Sequence, residues 1–171
     1  FTHTQRVTFQ IADRPWSWQD ISNQVRKAPK QQSLTIVNTT ELARQGFSFF
    51  TSNESEIMPN HCFHLSARMT PDHRSKVRKA IDQRLEDGQP CHVVSTQVVE
   101  AGIDFDFPSI LRQFAPLDSI IQAAGRCNRN GKLDRSESLA WIFNFEHDNS
   151  YESKNSTEKK QSFILRVNTK I

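Results

Sequence analysis

Apolar and polar positions along the chain define two alternating kinds of segment. Short apolar runs, typical of buried strands, alternate with longer stretches whose apolar residues recur at the spacing of an amphipathic helix. The runs predict strands at 34–38, 61–67, 91–96, 109–115 and 139–145. The longer stretches predict helices at 39–50, 71–87 and 117–126. This alternation predicts an α/β fold, with a parallel sheet flanked by helices on both faces.

Residue types at the ends of the predicted helices support these limits. Thr39 or Thr40 can serve as an N-cap, because a threonine hydroxyl accepts a hydrogen bond from the first turn. Pro71 suits the first turn of the second helix, where a backbone donor is not needed. Gly88 suits the end of that helix, because glycine adopts the left-handed conformation that often follows a helix.

The chain divides by composition into three parts, which are 1–33, 34–145 and 146–171. The first part adds a predicted strand at 5–12 and a helix at 17–28, which lead into the α/β body. The last part is rich in Glu, Asn, Ser and Lys and is predicted to be a polar linker or tail. For the pair Trp16 and Trp18 we expect one ring in the core and the other as a surface anchor.

Composition and charge narrow the class of protein. The chain has 22 Lys and Arg against 19 Asp and Glu, and its formal net charge of +3 permits a nucleic-acid partner without establishing one. No apolar stretch approaches the ~20 residues of a membrane span, and no basic-then-apolar N-terminus precedes a small-residue cleavage site, so we expect neither a membrane span nor a secretory signal. Cys62, Cys91 and Cys127 are odd in number and widely spaced, which predicts reduced thiols and a cytoplasmic protein. Because the chain begins at Phe1 inside a strand-like run, we expect a piece of a larger protein.

Several common catalytic motifs are missing from the sequence. We find neither a GxxxxGK[ST] phosphate loop nor an Asp-Glu pair at the end of an apolar strand. The chain is therefore expected to supply neither a phosphate cradle nor a pair of carboxylates for Mg²⁺. A GxSxG nucleophile elbow is absent as well. No metal site is predicted, because no second CxxC or HxxxH pair completes the candidate ligands His61, Cys62, His64, Cys91 and His92.

Residues 95–104, STQVVEAGID, follow the third predicted strand and carry candidate chemistry. Ligands of open parallel sheets bind at the carboxyl ends of the strands, where Ser95 and Thr96 offer hydroxyl and N–H groups to phosphate oxygens. Gly102 permits a backbone turn or a close approach, and Asp104 can accept hydrogen bonds from ribose hydroxyls. A strand followed by a turn with a capping Asp explains the same residues, and both interpretations stay open.

Residues 122–131, QAAGRCNRNG, form the second candidate segment. Gln122, Arg126 and Arg129 have i, i+4, i+7 spacing and share one face if the helix continues that far. Gly125 lets a neighbouring backbone or ligand come close, and two guanidinium forks suit phosphate or carboxylate. Few acids stand nearby in the sequence to neutralise the arginines. The alternative is a solvated basic helix face.

Residues 65–74, LSARMTPDHR, carry a weaker signal. Ser66 and Arg68 follow the end of a predicted strand, and Arg74 lies in the first turns of the next helix. These side chains can contact a phosphate backbone. A charge-rich, solvated helix surface is the alternative.

In order and spacing, the segments of 34–145 resemble the second RecA-like lobe of superfamily-two helicases. STQVVEAGID resembles motif V of these enzymes and QAAGRCNRNG resembles motif VI, while LTIVNTTELA resembles motif IV and HLSARMTPDHR the motif that follows it. The Gln-Val-Val-Glu run, the Asp104-Phe105-Asp106 continuation and the Asn128-Arg129 pair are most similar to the CRISPR-associated helicase–nuclease of type I systems.

The resemblance implies a nucleotide site. ATP would lie between two lobes, and the missing first lobe would supply the phosphate loop and the acids that hold Mg²⁺. Arg129 would be the arginine finger, Arg126 its partner on the phosphates, and Gln122 would position the pair or the attacking water. The implied nucleotide-binding residues are Gly102, Asp104, Gly125, Arg126 and Arg129.

The resemblance also implies partners. The backbone of single-stranded DNA would be held by Thr39, Ser66, Arg68, Arg74, Ser95 and Thr96, so one edge of the sheet is expected to face phosphates. Further partners would be the first lobe and an HD nuclease domain of the same parent chain, a C-terminal domain, and a Cascade-type CRISPR effector complex. We expect a motor that degrades foreign DNA with little sequence preference, and no ATP hydrolysis by this piece alone.

Three other functions remain open. Another superfamily-two translocase, of DNA repair or restriction, would share the same arginines, and only an upstream HD motif would distinguish it. A non-catalytic nucleic-acid-binding or docking module would gain support if the parent chain lacked a phosphate loop. An interaction domain would use Trp16, Trp18 and the C-terminal linker, and would show a partner interface away from the strand ends.

Overall fold

The computed structural model describes residues 6–100, 102–146 and 165–166. Six strands form one sheet: β1 (Thr8–Ile11), β2 (Gln32–Ile36), β3 (Cys62–Leu65), β4 (Cys91–Ser95), β5 (Ser109–Gln113) and β6 (Leu139–Phe143). The longer helices of the described part are α1 (Trp18–Arg26), α2 (Thr40–Phe50), α3 (Pro71–Glu86) and α4 (Leu117–Ala124). The predicted tail at 146–171 lies almost wholly outside the described residues.

The sheet has the order β1-β6-β5-β2-β4-β3, and every neighbouring pair is parallel. The predicted α/β fold with a parallel sheet is confirmed. All six strands therefore end at a common carboxyl edge and begin at a common amino edge. The predicted extra strand joins the same sheet as β1, beside β6.

Helices cover both faces, as predicted. On one face, α1 and α2 contribute Ile21, Val25 and Phe50 to an apolar cluster that also holds Val94 and Leu111. On the other face, a second cluster joins α3, α4 and the connection between β4 and β5. Its buried members include Ile81, Val99, Phe105, Ala123 and Leu34. The sheet is thus buried on both sides, which explains why its strands read as continuous apolar runs.

The predicted helix caps are confirmed at α2 and α3. Thr39 is the N-cap of α2, and its hydroxyl accepts a hydrogen bond from the Leu42 N–H at 3.1 Å. Thr70 caps α3 in the same way, and Pro71 follows at the first helical position. Gly88 has a φ of +65°, in the left-handed region where glycine carries no steric penalty.

The third predicted helix is shorter than its pattern indicates. We predicted a helix to residue 126, but α4 ends at Ala124 with Gly125 as its C-cap. The N–H groups of Arg126 and Cys127 bond three residues back, to Ala123 and Ala124, so the last turn tightens. The chain then leaves the helix through Asn128, whose φ is +46°.

The expectation for the two tryptophans is wrong. Trp16 is buried, and Trp18 packs into the same cluster. Trp16 pairs with Phe145 as extended backbone, whereas Trp18 is the first residue of α1, so the chain turns between them. The Trp18 ring lies over Gly46 of α2 and 5.0 Å from the Phe145 ring. Both rings therefore stabilise the core, and neither is a surface anchor.

Candidate functional site

Two arginines beyond the end of α4 meet one carboxylate. The Oδ1 atom of Asp104 lies 2.6 Å from Nη1 of Arg129 and 3.5 Å from Nη1 of Arg126. The predicted helical stripe is wrong, because α4 ends before either arginine. A turn brings them together instead. Few acids lie near the arginines in sequence, and the fold brings Asp104 to them from 22 and 25 positions away.

Arg126 is the more buried arginine and has an unused donor. Its side chain is 12% exposed, and its Nη2 donates to the backbone oxygen of Glu100 at 2.9 Å. Its buried Nε finds no hydrogen-bond partner within the described residues. Burial lowers the pKa of Arg126, the positive charge of Arg129 lowers it further, and Asp104 raises it. The guanidinium nonetheless stays charged, so a further anionic partner is favourable there.

Arg129 is more open than Arg126, and its backbone is tightly held. Its side chain is 42% exposed. Asp106 accepts hydrogen bonds from the N–H of Arg129 at 2.7 Å and from the N–H and side-chain amide of Asn130. Arg6 donates to the Arg129 carbonyl. The turn is therefore fixed while the guanidinium is left accessible.

Asn128 shapes the same turn from inside. It is buried at a left-handed φ, and its side-chain amide donates to the carbonyls of Leu133 at 2.8 Å and Arg6 at 3.1 Å. Its Oδ1 accepts from the Leu133 N–H. Sequence analysis missed the structural roles of Asp106 and Asn128. For Asn128, the residue type was an available signal, because asparagine adopts a positive φ more readily than most residues.

The other predicted nucleotide-binding residues lie near this turn. Gly102 has a φ of +73° with open space beside it, which agrees with the predicted backbone turn. Gly125 is exposed and caps α4. Gln122 is exposed on the last turn of α4. Within the described residues we see no contact that joins Gln122 to either arginine.

The arginine turn lies toward the amino edge of the sheet. Phe107, two residues before β5, donates its N–H to the Arg126 carbonyl and accepts from the Asn128 N–H, each at 2.9 Å. Ser95 and Thr96 stand at the opposite, carboxyl edge, where β4 ends. The expectation of a phosphate-facing edge stays a prediction for the carboxyl edge, and the arginine turn lies away from that edge. The connection between β4 and β5 crosses a whole face of the sheet, and its two ends lie on different edges.

The predicted DNA-binding residues gather at the carboxyl edge, with different exposure. Thr39 and Arg68 are exposed, and Arg74 is half-buried on α3. Ser66, Ser95 and Thr96 are buried, and the Ser95 hydroxyl donates to the Thr96 carbonyl at 2.8 Å. Their roles toward DNA remain predictions. Of these six predicted residues, Thr39, Arg68 and Arg74 have side chains that a ligand at this edge could reach.

A buried ion pair lies between the two edges, and sequence analysis missed it. Nε of Arg112 lies 2.8 Å from Oε1 of Glu100, and the two side chains are 2% and 6% exposed. Burial raises the pKa of Glu100 and lowers that of Arg112, and each partner's charge opposes the shift of the other. The sequence signal for a buried ion pair was an arginine inside the apolar run SILRQFA.

The candidate metal ligands and the thiols do not form a site. No group of three or more His, Cys, Asp or Glu residues suited to a metal ion occurs within 6–100, 102–146 and 165–166. Nδ1 of buried His92 is 2.8 Å from the Ser33 hydroxyl. Cys62, Cys91 and Cys127 are all free and buried. Among the helices that the structure describes, none has the length and apolar character needed to cross a bilayer.

Sequence comparisons with known proteins point to one family. A family model described as "CRISPR-associated nuclease/helicase Cas3, C-terminal" matches residues 29–132. A Haloferax volcanii protein described as "CRISPR-associated nuclease/helicase Cas3" is 40% identical over 72 residues, which cover 42% of this chain and 8% of the relative. The "CRISPR-associated helicase Cas3" of Thermoproteus tenax is 28% identical over 123 residues, 70% of this chain and 19% of the relative.

Solved structures share the fold. The crystal structure of T. fusca Cas3 with ATP superposes with a TM-score of 0.67 at 19% identity, covering 87% of this chain and 19% of that one. The Mycobacterium smegmatis helicase Lhr, bound to single-stranded DNA and AMP-PNP, gives a TM-score of 0.60 at 18% identity, covering 92% and 22%. The matched region is less than a fifth of each curated relative described above. The family match extends over more than half of this chain, whose sheet is RecA-like, and the chain therefore belongs to the Cas3 family of CRISPR-associated nuclease/helicases as part of their C-terminal region.

Proposed function

We propose that the chain is the second motor lobe of an ATP-dependent translocase that moves along single-stranded DNA and degrades foreign DNA in type I CRISPR interference. The observation that carries the proposal is the pair of arginines held at Asp104, with an unused buried donor on Arg126. Two converging guanidinium groups fit a polyphosphate, which requires several charged donors at one place.

The arginines account for the chemistry that this lobe would supply. Hydrolysis of ATP places negative charge on the transferred phosphoryl group, and a positioned arginine lowers the barrier by stabilising that charge. Arg129, open and fixed through its backbone, suits the finger. Arg126, buried and bonded to Glu100, suits a fixed contact on the phosphates.

Gln122 is assigned the role of orienting the pair or the attacking water. It lies on α4 just before the arginine turn. Gly102 and Asp104 would line the ribose side. Because Asp104 now pairs with both arginines, nucleotide binding would have to compete with that ion pair.

The phosphate loop and the Mg²⁺ ligands are assigned to a first RecA-like lobe outside this chain. In the described residues, Asp104 and Asp106 are engaged by the arginine turn, and no metal-binding cluster occurs. Mg²⁺ would neutralise charge on the phosphates from that other lobe. The Cas3 structure determined with ATP supports a nucleotide as the ligand of the family.

The carboxyl edge is proposed to hold the DNA strand. Thr39, Arg68 and Arg74 are open donors after β2 and β3, and Ser66, Ser95 and Thr96 lie behind them. Phosphate contacts carry no base code, so movement along DNA would tolerate any sequence. The single-stranded DNA bound to the similarly folded Lhr helicase supports this assignment.

The proposed partners follow from the relatives. One similar fold comes from a CRISPR RNA-guided surveillance complex before nicking, which supports recruitment to a Cascade-type effector complex. An HD nuclease domain in the parent chain would cut the strand that the motor draws in. We place the protein in the cytoplasm, in agreement with its three free thiols.

The decisive test is ATP hydrolysis stimulated by single-stranded DNA, measured on the longer parent protein with Arg129→Ala. We expect turnover to fall by about 10³-fold or more while DNA affinity is kept, because only the charge in the transition state loses its partner. Arg14→Ala is a matched control, since Arg14 is an exposed arginine that pairs with Asp20 near α1. Unchanged turnover in Arg129→Ala would indicate a nucleic-acid-binding or docking module instead.

A further inference from the structure

No ligand has been assigned to the buried ion pair Glu100–Arg112, yet its two residues contact both the arginine turn and the start of α2. Arg112 is on β5, one residue before the carboxyl end of that strand, and Glu100 is in the connection that leads from β4 toward Asp104. A buried ion pair adds little net stability to a core, because desolvation of two charges offsets much of their attraction. Stability alone is therefore a weak explanation for this pair.

On one side the pair fixes the start of α2. Nη1 of Arg112 donates to Oδ1 of Asn38 at 2.7 Å. Gln113 accepts from the Asn38 N–H at 2.8 Å, and Asn38 donates to the Phe114 carbonyl at 2.9 Å. Asn38 directly precedes Thr39, the N-cap of α2. A shift of Arg112 would therefore change the support of Asn38 and of the exposed Thr39 that follows it.

On the other side the pair fixes Arg126. The carboxylate of Glu100 faces Arg112, while the backbone oxygen of the same residue accepts from Nη2 of Arg126 at 2.9 Å. One residue thus connects two arginines through two different groups. The path of contacts runs from Asn38 through Arg112 and Glu100 to Arg126, and from there to Asp104.

We infer that Glu100 and Arg112 are positioning residues that couple the arrangement of the arginine turn to that of the DNA-facing carboxyl edge, in both directions. The inference rests on the proposed function, because it needs a nucleotide at one end and a DNA strand at the other. Energetic coupling requires an element with two arrangements. Arg126 is that element: its donors are shared between Asp104 and Glu100 here, and phosphate oxygens would compete with Asp104 for them.

The test measures binding of each ligand with and without the other. A fluorescent oligothymidylate is titrated into the parent protein, with and without AMP-PNP and Mg²⁺. We expect the nucleotide to change DNA affinity of the wild type by about tenfold, within the usual range of coupling between two sites. In the double variant Glu100→Met/Arg112→Met, we expect that factor to fall below about twofold, because two apolar side chains keep the packing but break the path.

The controls separate a lost path from lost folding. Thr35→Val changes an equally buried side chain on the neighbouring strand β2, whose hydroxyl has no partner within the described residues, and should keep the full tenfold factor. If the double Met variant fails to fold, Glu100→Gln replaces it, because glutamine keeps the shape of the side chain. The same fall in the effect of the nucleotide on DNA affinity is then expected. A folded variant that retains the wild-type factor would overturn the inference. Absence of any mutual effect in the wild type would overturn the proposed function together with it.

Discussion

The arginine turn shows how far single residues could be recognised from the sequence. Arg126 and Arg129 stood out because two guanidinium groups near a glycine suit an anion. Asp106 did not stand out as their support, because its partners lie 23 and 24 positions further along the chain. Contacts of this kind depend on the fold, and no spacing rule within one helix or strand predicts them.

Asp106 provides a prediction at the scale of the residue. Asp106→Ala leaves the N–H groups of Arg129 and Asn130 without their acceptor and should loosen the turn. We expect DNA-stimulated turnover of the parent protein to fall by about tenfold, or about 1.4 kcal/mol in the barrier. Asp106→Asn keeps one acceptor oxygen and should lose less. Equal turnover in Asp106→Ala and wild type would show that Arg129 does not depend on this carboxylate.

At the scale of elements, local signals predicted what neighbouring residues determine. The caps Thr39 and Thr70 and the left-handed Gly88 set the limits of α2 and α3 within a residue or two of the predicted ones. The end of α4 was missed, because Asn128 and Asp106 form a turn whose bonds reach other elements. The connection between β4 and β5 was correctly linked to a strand end, but its path across the sheet depends on burial of its apolar residues.

The contact between α1 and α2 allows a stability prediction. Gly46→Ala should gain up to ~1 kcal/mol of helix propensity, but the new methyl would overlap the Trp18 ring, which is packed against Phe50 and Phe145. Overpacking of such a site costs about 1–3 kcal/mol, so the clash outweighs the gain. We expect a lower free energy of unfolding in urea denaturation. Ser48→Ala, exposed on the same helix, should be neutral or slightly stabilising, and a more stable Gly46→Ala variant would contradict the packing.

The order of strands belongs to the whole molecule and was beyond the sequence. The alternation of strands and helices predicted a parallel sheet, but β5 pairs with β2 and β6 across long separations along the chain. This order places the arginine turn toward the amino edge and the predicted DNA-binding residues at the carboxyl edge. The two proposed ligands would therefore bind without either blocking the other, and the sheet between their sites is buried on both faces.

A final prediction concerns the parts of an ATP-hydrolysing site that this lobe does not supply. The proposed role of the arginines is to stabilise charge, but the described residues offer neither a metal-binding cluster nor a glycine-rich phosphate loop. We expect the purified 171-residue chain to release no phosphate from ATP above background, with or without single-stranded DNA, while circular dichroism shows it folded. The Arg129→Ala form of the same chain is the control, because phosphate release that this substitution leaves unchanged comes from a contaminating ATPase. Turnover by the wild-type chain that this substitution abolishes would mean that one lobe holds a complete site, and the two-lobe mechanism would be wrong.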